Sequence, residues 1–192
     1  MQSEYFEYLN KRSRTGILLR RLFFVPVLNY FKGKVLDIGA GTGEFLEYYP
    51  CSVGVDINRD CVDFCMSKGL ECLHADAYNL PFPDNTFDGV LLNNILEHLD
   101  RPEQTLEEAA RVLRDEGRIC IEVPGSKGFR HDPTHMKYLV LQDLETLLKG
   151  RGFRVISSNY FPVPFRWAGD ILTHNKLRIF AVLSKERKNQ FS

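Results

Sequence analysis

Short apolar runs rich in β-branched residues alternate along the chain with stretches of helical periodicity. The runs are Val35–Ile38, Val53–Ile57, Leu73–Asp76, Phe87–Asn93, Arg118–Val123, Phe153–Ser158 and Arg178–Leu183. Helical spacing covers residues 14–24, 43–49, 58–68, 103–114 and 140–150. Strands separated by single helices imply right-handed crossovers and a parallel sheet covered on both faces. The pattern therefore predicts one doubly wound, Rossmann-like α/β domain, with its ligand site beyond the carboxyl ends of the strands. The 192 residues suit a single domain: a helical segment over 1–33, a core over 34–185 and a tail over 186–192. Residues 159–177 carry Pro162, Pro164 and Trp167 but no long helical pattern, so the final strand is free to run antiparallel.

Composition narrows the function classes. Lys plus Arg and Asp plus Glu balance at 25 each, so no overall field favours nucleic acid, and a nucleic-acid partner is not expected. Residues 1–34 are locally basic and 76–116 locally acidic, which reads first as solvated helix faces. In the basic segment, Ile17, Leu18, Leu22 and Phe23 recur at helical spacing, either to cover the site's mouth or to pack on the sheet edge. No run approaches the roughly 18 apolar residues that span a bilayer. The N-terminus is polar where a secretory signal needs an apolar core. Cys51, Cys61, Cys65, Cys72 and Cys120 include no CxxC pair and read as reduced thiols, so a cytoplasmic location is expected.

The most informative stretch is VLDIGAGTGEF at 35–45, a buried strand running through three alternating glycines into a helix. It lacks the GxxxxGK[ST] of a phosphate loop. A dinucleotide fingerprint would require glycine at position 44, where Glu44 would repel a pyrophosphate. A cationic, phosphate-free ligand is the better chemical match. Asp37 ends the first strand and can accept from a ligand ammonium. Asp56 ends the second and can accept both hydroxyls of a ribose, and Asp76 ends the third and can accept from an adenine amine, with Ala77 and Leu80 lining the ring.

These residues carry a resemblance. VLDIGAGTGEF at 35–45, VGVDIN at 53–58, ADAYNLPFPDNTFD at 75–88, LLNNILEHL at 91–99 and EEAARVLRDEGRICIEVPG at 107–125 resemble the class I S-adenosylmethionine-dependent methyltransferases over residues 30–185. The resemblance implies a seven-stranded sheet in order 3-2-1-4-5-7-6 with the seventh strand antiparallel. It implies S-adenosylmethionine as cofactor, with Gly39, Gly41 and Gly43 around its methionine portion, Asp56 at the ribose, and Asp76 with Ala77 at the adenine. Asn93 would lie near the reacting methyl; Ala40 and Ile57 complete the candidate cofactor set.

On the acceptor side the residues to weigh are histidines, whose ordinary pKa suits proton transfer near neutrality. His135 is the leading candidate to face the acceptor, His131 is secondary, and His98 follows Glu97 just after the fourth strand. His131 and His135 would share a helix face, but Pro133 disfavours helix at Asp132, so no metal is expected. Tyr138, Tyr160, Phe161, Phe165 and Trp167 offer aromatic surface, with burial in the core as the default reading. The Asn/Asp-Pro-Pro-Tyr motif of amino-methylating enzymes is absent, since the fourth strand ends Asn93-Asn94-Ile95-Leu96. The expected activity is methyl transfer to a small-molecule hydroxyl or similar nucleophile. An RNA or protein acceptor, or a non-catalytic cofactor-binding subunit, are the alternatives.

Overall fold

The computed structural model describes residues 24–184. The predicted helix over 14–24 therefore lies almost wholly outside the described residues; helical residues 24–30 (α1) fall inside the helical segment expected over 1–33, past the end of that periodic run. The strands are β1 (Val35–Ile38), β2 (Ser52–Asp56), β3 (Cys72–His74), β4 (Phe87–Asn93), β5 (Leu113–Pro124), β6 (Phe153–Phe161) and β7 (Lys176–Leu183). Between them lie α2 (Glu44–Tyr48), α3 (Arg59–Ser67), α4 (Pro102–Val112), α5 (Ser126–His131), α6 (Leu141–Lys149) and α7 (Ala168–Ile171). The sheet runs β3-β2-β1-β4-β5-β7-β6, with β7 antiparallel to both neighbours and the remaining pairs parallel.

Two apolar layers follow from the alternation of side chains along each strand. Leu36, Ile38, Val53, Val55, Val90 and Leu92 face one layer, where Leu106, Ala109 and Val112 of α4 and Leu144 and Leu148 of α6 cover them. Val35, Leu91, Cys120 and Phe180 face the other, filled by Phe24, Val27 and Phe31 at the N-terminal end and by Phe45, Val62 and Cys65. Period two then places Asp37, Asp56, Asn93 and Glu122 on this second face, nearer the carboxyl ends of their parallel strands, and Arg178 beside them near the amino end of the antiparallel β7. The apolar filling thus occupies one end of that face and the polar groups the other.

The structure shifts several boundaries. β3 ends at His74, two residues short of Asp76, because it is an edge strand paired only to β2, whose last partnered residue is Asp56. Asp76 instead opens a turn, its Oδ1 accepting from the Tyr78 N–H at 2.9 Å. The loop that follows is pinned by α4. The Arg111 guanidinium donates to the carbonyls of Phe82 (2.7 Å) and Leu80 (3.0 Å), and Glu108 accepts from the Leu80 N–H. Phe165 and Trp167 are 55% and 58% exposed and stack on each other at 6.0 Å, so the expectation of a core position does not hold for them. Their segment holds only the short α7, which brings no layer over their rings.

Candidate functional site

The turn after β1 is built from backbone geometry. Gly39, Gly41 and Gly43 have φ of 76°, 54° and 75°, in the left-handed region that costs a residue bearing a Cβ. A Cβ on Gly39 would lie 2.6 Å from Ile95 Cδ1, and one on Gly43 2.7 Å from Leu70 Cδ1. At these two positions, packing against the chain itself requires glycine as much as any ligand does. The N–H groups of Gly39 and Ala40 donate to the Val55 carbonyl, and the Gly41 N–H donates to Asp56 Oδ2 at 2.8 Å. Asp56 Oδ1 accepts from the Asn58 N–H at 2.8 Å. Asp56 therefore joins the tip of β2 to the glycine turn, while Ile57 beside it is 56% exposed.

Asp37 lies beneath this turn, only 3% exposed, with Oδ1 buried and lacking a hydrogen-bond partner among the described residues. Burial first, then the nearby Asp56 and Glu122, pushes its carboxyl up to about 8. Burial also raises Asp56, against the backbone N–H bonds that favour its charge. Three carboxylates crowd one end of the second face. Among the described residues only Glu122 has a near Lys or Arg, with Arg178 at 2.6 Å and Lys176 at 3.5 Å. The guanidinium of Arg178 also lies 3.8 Å from the Phe161 ring centroid. Lys176 Nζ donates to Asn93 Oδ1 at 3.3 Å, which ties the β4 tip to β7. A phosphate would be repelled here, whereas an orphaned buried carboxylate oxygen fits a cationic ligand.

Across the β4 tip, a short turn at Leu96–His98 meets the loop after α5. The Glu97 carbonyl accepts from the N–H groups of Met136 (2.7 Å) and Lys137 (3.1 Å), which holds the loop against the turn. His135 stacks on Phe129, and its Nδ1 donates to the Phe129 carbonyl at 2.8 Å. The His98 and His135 rings meet edge to face at 4.6 Å. Burial and the neighbouring His135 lower the His98 imidazole, while burial pushes the Glu97 carboxyl up to about 8. His131 ends α5, exposed, outside this cluster, because the helix stops at Asp132 before Pro133. Ala77 packs half-buried on the core, and Asp76 is exposed.

A family model described as a methyltransferase domain matches residues 36–121. The crystal structure of an S-adenosylmethionine-dependent methyltransferase from Archaeoglobus fulgidus superposes with a TM-score of 0.75 and 27% identity, covering 86% of this chain and 94% of that one. In sequence over residues 36–121, and in fold, the chain is similar to the class I S-adenosylmethionine-dependent methyltransferases. Proteins of that family are enzymes whose cofactor is S-adenosylmethionine. Two curated relatives are a fatty-acid O-methyltransferase of Mycolicibacterium smegmatis and a tRNA (carboxymethyluridine(34)-5-O)-methyltransferase of Arabidopsis thaliana. The first is 41% identical over 95 residues (44% of this chain, 34% of the relative) and the second 35% over 94 (46% and 23%). The matched stretch therefore spans well under half the length of either relative. Sequence reasoning missed Lys176, Arg178 and Glu122 as part of this polar cluster. The available signal was a lone acid inside the apolar strand Ile119-Cys120-Ile121-Glu122-Val123.

Proposed function

We propose that the protein transfers a methyl group from S-adenosylmethionine to a hydroxyl, or a similar nucleophile, of a small-molecule acceptor. The observation that carries this reading is one juxtaposition. A buried carboxyl with no countercharge among the described residues lies under the glycine turn, and a lone-pair imidazole lies across the neighbouring strand tip. Bound at the turn, the cofactor supplies a methyl carbon activated by a positively charged sulfur. Asp37 would meet its ammonium, Asp56 its ribose, and Asp76 with Ala77 and Ile57 its adenine. Gly39, Ala40, Gly41 and Gly43 would form the wall around the methionine portion, with Asn93 toward the methyl.

His135 acts on the acceptor. A carbonyl can only accept, so the bond to Phe129 keeps the proton on Nδ1 and the lone pair on Nε2. That nitrogen takes or orients the acceptor's proton, with His98 packed beside it. The Phe129 and Tyr138 rings, 5.3 Å apart, suit a small apolar or flat acceptor.

Calorimetric titration with S-adenosylmethionine, its demethylated product and NAD tests the cofactor half. The first two bind 1:1 and NAD does not; NAD binding without the others would overturn it. His135→Ala keeps cofactor affinity but loses turnover, by about 10²–10⁴ for a base and under tenfold for an orienting group. Methyl label is expected in the small-molecule fraction of a cell extract; label in RNA or protein would replace the acceptor class.

A further inference from the structure

We propose that Glu97, His98 and His135 form a binding site for one divalent first-row transition ion of the zinc class. One donor atom from each of the three lies within 4.8 Å of the other two, with His135 Nε2 and Glu97 Oε1 at 3.9 Å. Around a zinc-class ion with bonds of about 2.0–2.1 Å, donors stand about 3.3 Å apart, so closure needs side-chain movements of about an ångström.

Three features built into the chain support the site. Glu97 is fully buried, yet neither of its carboxylate oxygens has a hydrogen-bond partner in another residue among those described. Such a group needs a cation or a proton to remain there. Both imidazoles are also held by their far nitrogens, as in protein metal centres. The Phe129 carbonyl holds Nδ1–H of His135. Thr134 Oγ1 donates to Asp132 Oδ1 at 2.6 Å, so it accepts from His98 Nδ1 at 3.1 Å. That relay leaves the His98 lone pair on Nε2. Finally, the Asp132 carboxylate, 3.9 Å from His135 Nε2, adds negative charge beside the cluster.

The donor set selects the ion class. Two imidazoles with one carboxylate suit zinc, cobalt or iron, whereas magnesium and calcium prefer oxygen donors throughout. Three protein ligands leave a coordination position open, as at catalytic rather than structural zinc sites. The sequence weighed His131 as the partner of His135; the fold supplies Glu97 and His98 instead, from the turn after β4. On the methyl-transfer reading, an ion here would acidify an acceptor oxygen by coordination, and His135 would then act as its ligand rather than as the base.

The test is metal binding by the full chain, independent of turnover. After chelator treatment and dialysis, Co²⁺ is titrated by visible absorption and Zn²⁺ by competition with a chromophoric chelator. One equivalent is expected, with affinity lowered at least tenfold by Glu97→Gln, His98→Ala or His135→Ala and unchanged by His131→Ala. Calorimetry with S-adenosylhomocysteine and thermal melting on the same variants establish that each is folded, and separate this test from that of the cofactor site. A folded protein that takes up neither ion stoichiometrically overturns the proposal. Binding that survives the Glu97→Gln/His135→Ala double variant, or that follows the exposed thiol in Cys51→Ser, overturns it too.

Discussion

At the scale of single residues, Asp37 and Asp56 differ although both are acids at strand tips. Asp37 is an uncompensated buried carboxyl, raised from 3.8 to about 8 by burial and by Asp56 and Glu122. Unfolding returns it to its ordinary value, so between those two pH values the folded state holds the extra proton. Its contribution is fully present below pH about 4 and is lost as pH rises toward 8. Asp37→Asn should therefore flatten the fall in urea-unfolding free energy across that window. Binding of a cationic cofactor should also release a proton, read as a dependence of calorimetric heat on buffer ionisation enthalpy. Asp56 holds two backbone N–H groups. Asp56→Ala removes these together with any ribose contact. At about 1.5–3 kcal/mol for each charged hydrogen bond, cofactor affinity should fall more than tenfold. Asp76→Asn changes an exposed turn that keeps an acceptor oxygen, so calorimetry should find a smaller loss.

At the scale of elements, the junction of β5 with β7 carries the strongest polar constraint. Glu122 pairs in register with Arg178, and both are 2–3% exposed. Breaking a buried pair leaves an unsatisfied charge, at a cost of about 3–5 kcal/mol. Glu122→Gln should lower urea-unfolding stability by about that amount, and adding Arg178→Met should restore much of it. Equal losses in the single and double variants would mean that the pair itself stabilises the sheet. The turn at Leu96–His98 is a second such junction, since two N–H groups from the loop at 136–137 converge on one carbonyl. It brings together histidines 37 positions apart in the chain, His98 and His135, with rings 4.6 Å apart.

At the scale of the whole molecule, balanced charge argues against nonspecific adhesion to RNA. Fluorescence titration of labelled RNA should find only weak binding at physiological salt. Submicromolar binding that weakens steeply with added salt would make RNA the acceptor class to pursue. The alternation of strand and helix was legible in the sequence, because burial on a sheet imposes local periodicities of 2 and 3.6. So was the glycine turn, because left-handed backbone demands a particular residue type at each position. Edge effects were not legible: β3 ends before Asp76 because one neighbour supplies its ladder, and Trp167 stays exposed because no layer of the described residues forms above it. Residues 35–58 sit close together in the chain, so the glycine turn and its two acids could be read locally. His98, His135 and Asn93 could be named singly, but their neighbours could not. Glu97, His98 and His135 come from a turn and a distant loop, while Asn93, Glu122, Lys176 and Arg178 come from three strands. Their meeting depends on the order and direction of strands in the sheet, which only long-range packing decides.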